Sequence, residues 1–389
     1  MNAGPVAQPS DPALSLYRLL DPEVLADPYP LYHRLRTEDP VHWDPFLHVW
    51  VVTRYADVIR VLHPPAHTRL RGLAAYAFTP ARVEVLRAHI REITERLLDA
   101  VVPGGRMDVI ADLAEPLPCI VTAEMLGVPV EDHRQLKVWS QDFAEMLGNF
   151  QHNPDHARRV LGSVEEMTAY FRSAMREQRT RSRAGLVSAL MNAEVAGDRL
   201  SEEEVIANCI VTMVGGQETT TNLIGNGVLS LLRNPDQLDK LRSDPSLVPS
   251  AVEELLRYES PSQHTARLAP ADLEMGGRQI RQRQAVIAVM AAANRDPDRF
   301  PDPDRLDITR KDNRHVAFGW AAHFCFGAPL ARMEGQIAFE AMLRRLPDLT
   351  LEPGPLSWRT NLGLRGLRAL PVTFGNPSRA AEARPDVEL

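Results

Sequence analysis

Cysteine is scarce in this chain of 389 residues: there are three, Cys119, Cys209 and Cys325. So few, so widely spaced and odd in number, they form neither a disulfide framework nor a zinc-ligand pattern, and they fit a reducing compartment. Long apolar runs are missing, so nothing reads as a membrane span. Met1 to Asp11 lacks the basic start and apolar centre of a secretory signal. A basic excess is missing as well: 44 Lys and Arg stand against 51 Asp and Glu, a net charge of −7. That argues against a nucleic-acid partner. The short run Arg179-Thr180-Arg181-Ser182-Arg183 reads as a solvated interhelical loop. There is no internal repeat, low-complexity tract or interdomain linker. The expectation is a soluble, cytoplasmic protein with neither membrane nor nucleic acid as partner.

What is present is an ordinary globular composition, 44% hydrophobic and 24% charged. Apolar residues recur mostly at helical spacing. Val85, Leu86, Ile90, Ile93 and Leu97 mark a helix over Glu84 to Val102. Further helices are expected at Glu131 to Leu147, Pro154 to Gln178, Ser201 to Asn234, Ser250 to Glu259 and Ala328 to Leu346, with ordinary helix at Gly185 to Leu190. Ser201 followed by Glu204 makes a capping box for the longest. Strand signals are short: Val41 to Trp43 with Val49 to Thr53, and Leu268 to Val289 around a hairpin-like Gly276-Gly277. A mainly α, single-domain fold with small peripheral β-sheets follows. Residues 1–20 and 375–389 read as flexible tails around a domain of residues 21–374.

Four constellations carry chemistry. The first is Phe318-Gly319-Trp320-Ala321-Ala322-His323-Phe324-Cys325-Phe326-Gly327-Ala328-Pro329-Leu330-Ala331-Arg332. A cysteine here sits in a glycine-containing turn just before an amphipathic helix, where the helix dipole and free backbone N–H groups stabilise a thiolate. The second is Gly215-Gly216-Gln217-Glu218-Thr219-Thr220-Thr221, in mid-helix. Its glycines and β-branched threonines cost about 2–4 kcal/mol against alanine. Two readings compete: close helix packing with threonines bonded back to the preceding turn, or a groove where a ligand approaches the backbone. The third is Glu254-Leu255-Leu256-Arg257, by default a surface pair worth a few tenths of a kcal/mol. The fourth is a scatter of cations, His67, Arg71, Arg267 and His323. Cys119 and Cys209 lie in apolar helical stretches and read as inert core.

The cysteine stretch resembles the haem-binding loop of the cytochromes P450, Phe-Gly-x-Gly-x-His-x-Cys-x-Gly-x-x-Leu-Ala-Arg, with Ala321 at the second glycine. The resemblance runs from about Asp21 to Phe374, its motifs in order, and implies the cytochrome P450 fold. It implies haem b with Cys325 as the axial metal ligand and Gly327, His323, His67, Arg71 and Arg267 as further cofactor-binding residues, the cations serving the propionates. It makes Glu218 and Thr219 the acid–alcohol pair of oxygen activation. It places Glu254 and Arg257 in a buried network whose third member is Arg305 of Phe300-Pro301-Asp302-Pro303-Asp304-Arg305. Met213, Gly216, Gln263, His264 and Leu364 fall at substrate-pocket positions. Polar Gln263 and His264 raise the prospect of a substrate with hydroxyls or a carboxylate.

The segment from Val61-Leu62 to His67 is shorter than in most soluble bacterial relatives, where a loop and short helix roof the pocket. Either the pocket is truncated and open, or this sequence lacks a segment there. The implied activity is a monooxygenase putting one oxygen atom of O2 into a small organic substrate, in bacterial secondary metabolism. Its electrons come from a ferredoxin-type donor, and a substrate tethered to a carrier protein would suit an open pocket. The alternatives are a haem-thiolate sensor without turnover and a peroxide-using peroxygenase. Glu218 and Thr219 count against both.

Overall fold

In the computed structural model the described residues are 11–62, 78–148, 154–180, 185–192, 194–195 and 198–375. The principal helices are α1 (Tyr29–Glu38), α2 (Tyr55–Leu62), α3 (Arg87–Val101), α4 (Pro116–Leu126), α5 (His133–Gly148), α6 (Pro154–Thr180), α7 (Glu202–Arg233), α8 (Val248–Tyr258) and α9 (Ala328–Arg345). The architecture is mainly α, organised around α7. This helix spans 32 residues. Its length is about 48 Å at the helical rise per residue. It starts on the expected capping box: Ser201 Oγ accepts from Glu204 N (3.2 Å), and Glu204 Oε2 accepts from Ser201 N (2.9 Å). Helices α4, α5, α6, α8 and α9 all pack on it. Their apolar faces merge in one core with Ile224, Val228, Leu255 and Phe339.

Helix α4 is buried nearly all round, from Leu117 to Leu126. Its sequence Pro-Leu-Pro-Cys-Ile-Val-Thr-Ala-Glu-Met-Leu therefore carries no polar stripe. Cys119 and Cys209 are both buried, and burial pushes each thiol up to about 12, as inert core cysteines require.

A four-stranded sheet flanks the helices: β1 (Val41–Asp44), β2 (Val49–Val52), β3 (Thr265–Leu268) and, late in the chain, Ala285–Ala288. Its order is β1, β2, Ala285–Ala288, β3. Only the β2 pairing with Ala285–Ala288 is parallel, Trp50 opposite Val286. The hairpin read from Gly276-Gly277 is present, joining Leu273–Met275 to Arg278–Ile280. Both glycines have positive φ, 55° and 73°, as the tight turn needs.

The N-terminal boundary differs from expectation. Pro12–Leu14 and Leu16–Leu20 form helical turns, and Leu14, Leu16 and Leu19 are buried beside Tyr32 and Leu35. Ser15 fixes them by donating to the buried Asp44 carboxylate at 2.8 Å. These residues belong to the packed body, because a leucine at every second or third position gives them an apolar face to bury. No helix among the described residues is long and apolar enough to cross a membrane.

Candidate active site

The cysteine turn is held by its own backbone. Cys325 N donates to Phe318 O at 2.7 Å, Gly319 N to Val316 O at 2.9 Å, and Phe324 N to Ala321 O at 3.0 Å. Gly319 is required twice over: its φ is +74°, and a Cβ there would sit 2.9 Å from His323 O. Ala321 is also left-handed, at φ 49°. An alanine thus holds a conformation that costs a side chain about 1–2 kcal/mol. Cys325 and Phe324 are exposed. Gly327 lies against the sulfur, its Cβ position 3.7 Å from Sγ. Phe78 packs on the turn, ring to ring with Phe326 at 4.9 Å.

Helix α9 carries this turn to α7. The two helices cross just beyond Thr219: Glu334 bonds Thr220, and Gly335 and Gly227 allow contact with Leu223 and Phe339. Along α7, Val211, Gly215 and Thr219 recur every four residues and continue the open stripe that begins with exposed Glu203 and Ala207, on a helix buried over most of its surface. Val211 is 53% exposed, and a Cβ at Gly215 would meet nothing within 4 Å. Gly216 does the opposite, with Thr122 Oγ1 only 3.0 Å from its Cβ position. Gly216 and Thr221 serve packing, while Gly215 opens the helix. Thr219 Oγ1 donates to Gly215 O at 2.8 Å, the back-bond of a resting threonine.

Glu218 is 7% exposed, and burial raises its pKa to about 7; Arg359 offsets part of the shift, while Glu145 and Glu115 add to it. Arg359 reaches Glu115 at 3.3 Å, and Glu115 also holds Lys137 at 2.6 Å.

Four of the expected pocket residues are buried or half-buried among protein side chains. Met213 is fully buried in the core. It sits two residues from both Val211 and Gly215, about 200° round the helix from the open face. Gln263, 2% exposed, donates to Ser260 O at 2.6 Å and lies against Tyr29, turned into the body of the protein. His264 is buried and bonded to the Leu362 backbone; burial lowers its pKa to about 4, so it is neutral at pH 7. Leu364 is half-buried in a β-bridge to Ser262. His67 and Arg71 lie outside the described residues.

The Glu254–Arg257 pair is not a surface bridge. Both side chains are fully buried, with two bonds of 2.8 Å. Arg257 also donates to the carbonyls of Asn294 (2.9 Å), Pro303 (2.7 Å) and Arg305 (3.1 Å). Arg305 therefore contributes its backbone, while its side chain is exposed. The second guanidinium on Glu254 belongs to Arg310, joined by Asn313 at 3.1 Å. No periodicity marks Arg310, since it lies on an irregular segment. Asn294 Oδ1 in turn accepts from Val316 N at 2.7 Å, which fixes the approach to the cysteine turn. Beside this network Glu253 binds Arg332 (2.6 Å) and His315 (3.2 Å). These two partners hold Glu253, against burial, down at about 2. Arg332 stacks on Phe318 at 4.6 Å.

Comparison with known proteins matches residues 128–353 to the cytochrome P450 family model. The chain is a cytochrome P450. It is 40% identical to the cytochrome P450 monooxygenase PikC of Streptomyces venezuelae, covering 94% of this chain and 95% of that protein. It is 38% identical to the biotin biosynthesis cytochrome P450 of Bacillus subtilis, over 90% of this chain and 97% of the relative. Among solved structures it resembles P450BioI in complex with hexadec-9Z-enoic acid ligated acyl carrier protein. The TM-score is 0.86 at 38% identity, with 91% of this chain and all of that one covered. As a member of this P450 family the protein is a monooxygenase, and the family implies a haem-iron cofactor.

The residues present fit that group. An exposed cysteine stands at the start of α9, and α7 is opened at Val211 and Gly215. Arg267 on β3 has a buried Nε without a partner, and its guanidinium makes no ion pair with a carboxylate among the described residues. A half-buried cation of this kind asks for an anion such as a propionate.

Proposed function

We propose that this cytochrome P450 binds haem b through the Cys325 thiolate and oxidises an apolar position of a small organic substrate, by hydroxylation or epoxidation. The haem supplies dioxygen activation when bound. The observation that supports the reading is that α9, which begins three residues after Cys325, crosses α7 just beyond Thr219.

Each residue then has a task. Arg267 and His323, with His67 and Arg71, pair the propionates. Gly327 keeps the backbone close to the sulfur without bulk. Glu254, Arg257 and Arg310 hold the chain leading to the turn. Thr219 is the alcohol that exchanges its back-bond for a hydrogen bond into the pocket. Glu218, with a pKa of about 7, is poised both to give and to regain a proton at neutral pH. Arg359 and Glu115 connect it towards solvent.

The wall offered by α7 is Val211 and Gly215, while His264 is neutral and Gln263 faces inward. That arrangement favours an uncharged C–H or C=C at the reacting end, not a carboxylate. We infer a role in bacterial secondary metabolism, in keeping with PikC and the polyketide biosynthesis relative PksS. We also infer a ferredoxin-type electron donor and, on the P450BioI complex, an acyl chain on a carrier protein as one substrate form.

The test is a carbon monoxide difference spectrum followed by a Soret titration. A strongly red-shifted band upholds Cys325 ligation; a histidine-type band in fresh protein overturns it. Macrolide aglycones, free fatty acids and acyl carrier protein loaded with the same acids then separate the substrate classes. The class that binds is the one whose addition shifts the Soret maximum.

A further inference from the structure

A second cavity lies at the far end of α7, away from the cysteine turn. Its volume is about 640 Å³, within the range of pockets that take drug-sized molecules. The last turns of α7, from Leu229 to Asn234, form one wall, and the end of α8 with the loop around Trp358 forms the others. Ser230 belongs to that wall. It stands eleven residues beyond Thr219, about 16 Å along the helix. The two sites are therefore separate.

The wall is aromatic and cationic. Arg295 is sandwiched between Tyr29 and Tyr258, its guanidinium 3.6 and 4.0 Å from their ring centres. Arg365 stacks on Trp358 at 3.7 Å. Both guanidinium groups are already engaged. Arg295 donates to Tyr258 O (2.7 Å) and Asp304 (3.0 Å). Arg365 donates to the carbonyls of Leu25 (2.6 Å) and Ala26 (2.8 Å) and to Glu259. They are fixed parts of the wall. Arg233 differs: it lines the cavity as an exposed side chain and makes no ion pair among the described residues. Of the two lining acids, Glu259 is taken up by Arg365, and Asp27 forms no ion pair with Arg233. Close by, Leu351, Leu356 and Trp358 present apolar surface.

We propose that this cavity is a second small-molecule site, which takes an amphipathic organic acid. The acid group pairs with Arg233, and an aryl or aliphatic body lies on Leu351, Leu356 and Trp358. Without a ligand, Arg233 still complements the C-terminal end of the α7 dipole. That structural role alone predicts no ligand binding.

The test is calorimetric titration of the haem-loaded protein with naphthalene-2-sulfonate, first alone and then with phenylimidazole saturating the haem pocket. The expected result is one-to-one binding that survives phenylimidazole and leaves the Soret band unmoved. Arg233→Gln and Leu356→Glu weaken it about tenfold or more, and Arg233→Lys retains it. An unchanged phenylimidazole titration in each variant confirms that the fold is intact. Absence of binding, competition by phenylimidazole, or indifference to both weakening substitutions overturns the proposal. So does binding that appears only after residues 376–389 are removed, because the chain's own end would then be the occupant.

Discussion

Arg310 Nε lies 3.2 and 3.1 Å from the two carboxylate oxygens of Glu254, a side chain that is fully buried and already holds both prongs of Arg257. One carboxylate thus serves two guanidinium groups, an Asn313 amide and the Asp307 N–H. Removing one partner of a buried ion pair costs about 3–5 kcal/mol. Arg310→Ala is expected to lower stability by about 3 kcal/mol and to reduce haem occupancy, read by denaturant unfolding and the haem-to-protein absorbance ratio. Arg305→Ala removes an exposed side chain and is expected to change stability by less than about 0.5 kcal/mol and occupancy hardly at all. Equal losses in the two variants would contradict this assignment.

Arg267→Gln removes the half-buried guanidinium of β3. Haem is expected to dissociate at least tenfold faster into an excess of apomyoglobin. The apoprotein should be no less stable than wild type, because Arg267 is desolvated there without a carboxylate to offset the cost.

Thr219→Ala deletes an alcohol that bonds back to its own helix. The fold is expected to be unchanged, while product per electron pair consumed falls severalfold and peroxide appears in its place. Glu218→Gln should slow turnover with little change in substrate affinity. It should also flatten the pH profile around the wild-type Glu218 pKa of about 7.

Burial raises the Glu334 carboxyl to about 8, against a bond from Thr220. A carboxyl raised above its unfolded value of 4.5 leaves stability intact below that value. Stability then falls progressively as pH rises towards the folded pKa of about 8. Unfolding free energies from urea titration are expected to fall between pH 6 and pH 8.5 in wild type, by an amount on the order of a few kcal/mol. Glu334→Gln should remove most of the fall. An unchanged slope would mean that Glu334 is not the group responsible.

Ala321 holds φ 49° in the cysteine turn. Ala321→Gly should stabilise the protein by up to about 1 kcal/mol, since relief of left-handed strain exceeds the added unfolded-state entropy. A loss of stability would show that the Ala321 methyl makes a packing contact worth more than the strain.

The sequence alone carried whatever depends on neighbours along the chain. The capping box at Ser201, the Gly276-Gly277 hairpin, the cysteine turn at the start of α9 and the Glu254–Arg257 spacing are set within a few residues, by backbone dihedrals and helical period. Tertiary structure decided which partner or which face each side chain meets. It chose Arg310 over Arg305, because an irregular segment brings back whichever guanidinium the fold of the loop allows. It turned Met213 into the core and left Val211 and Gly215 open, because α7 is apolar on nearly every side and its period cannot name the open stripe. It turned Gln263 towards Tyr29, a residue more than two hundred positions earlier in the chain. Packing on α7 from five other helices supplies that information, and no local pattern encodes it.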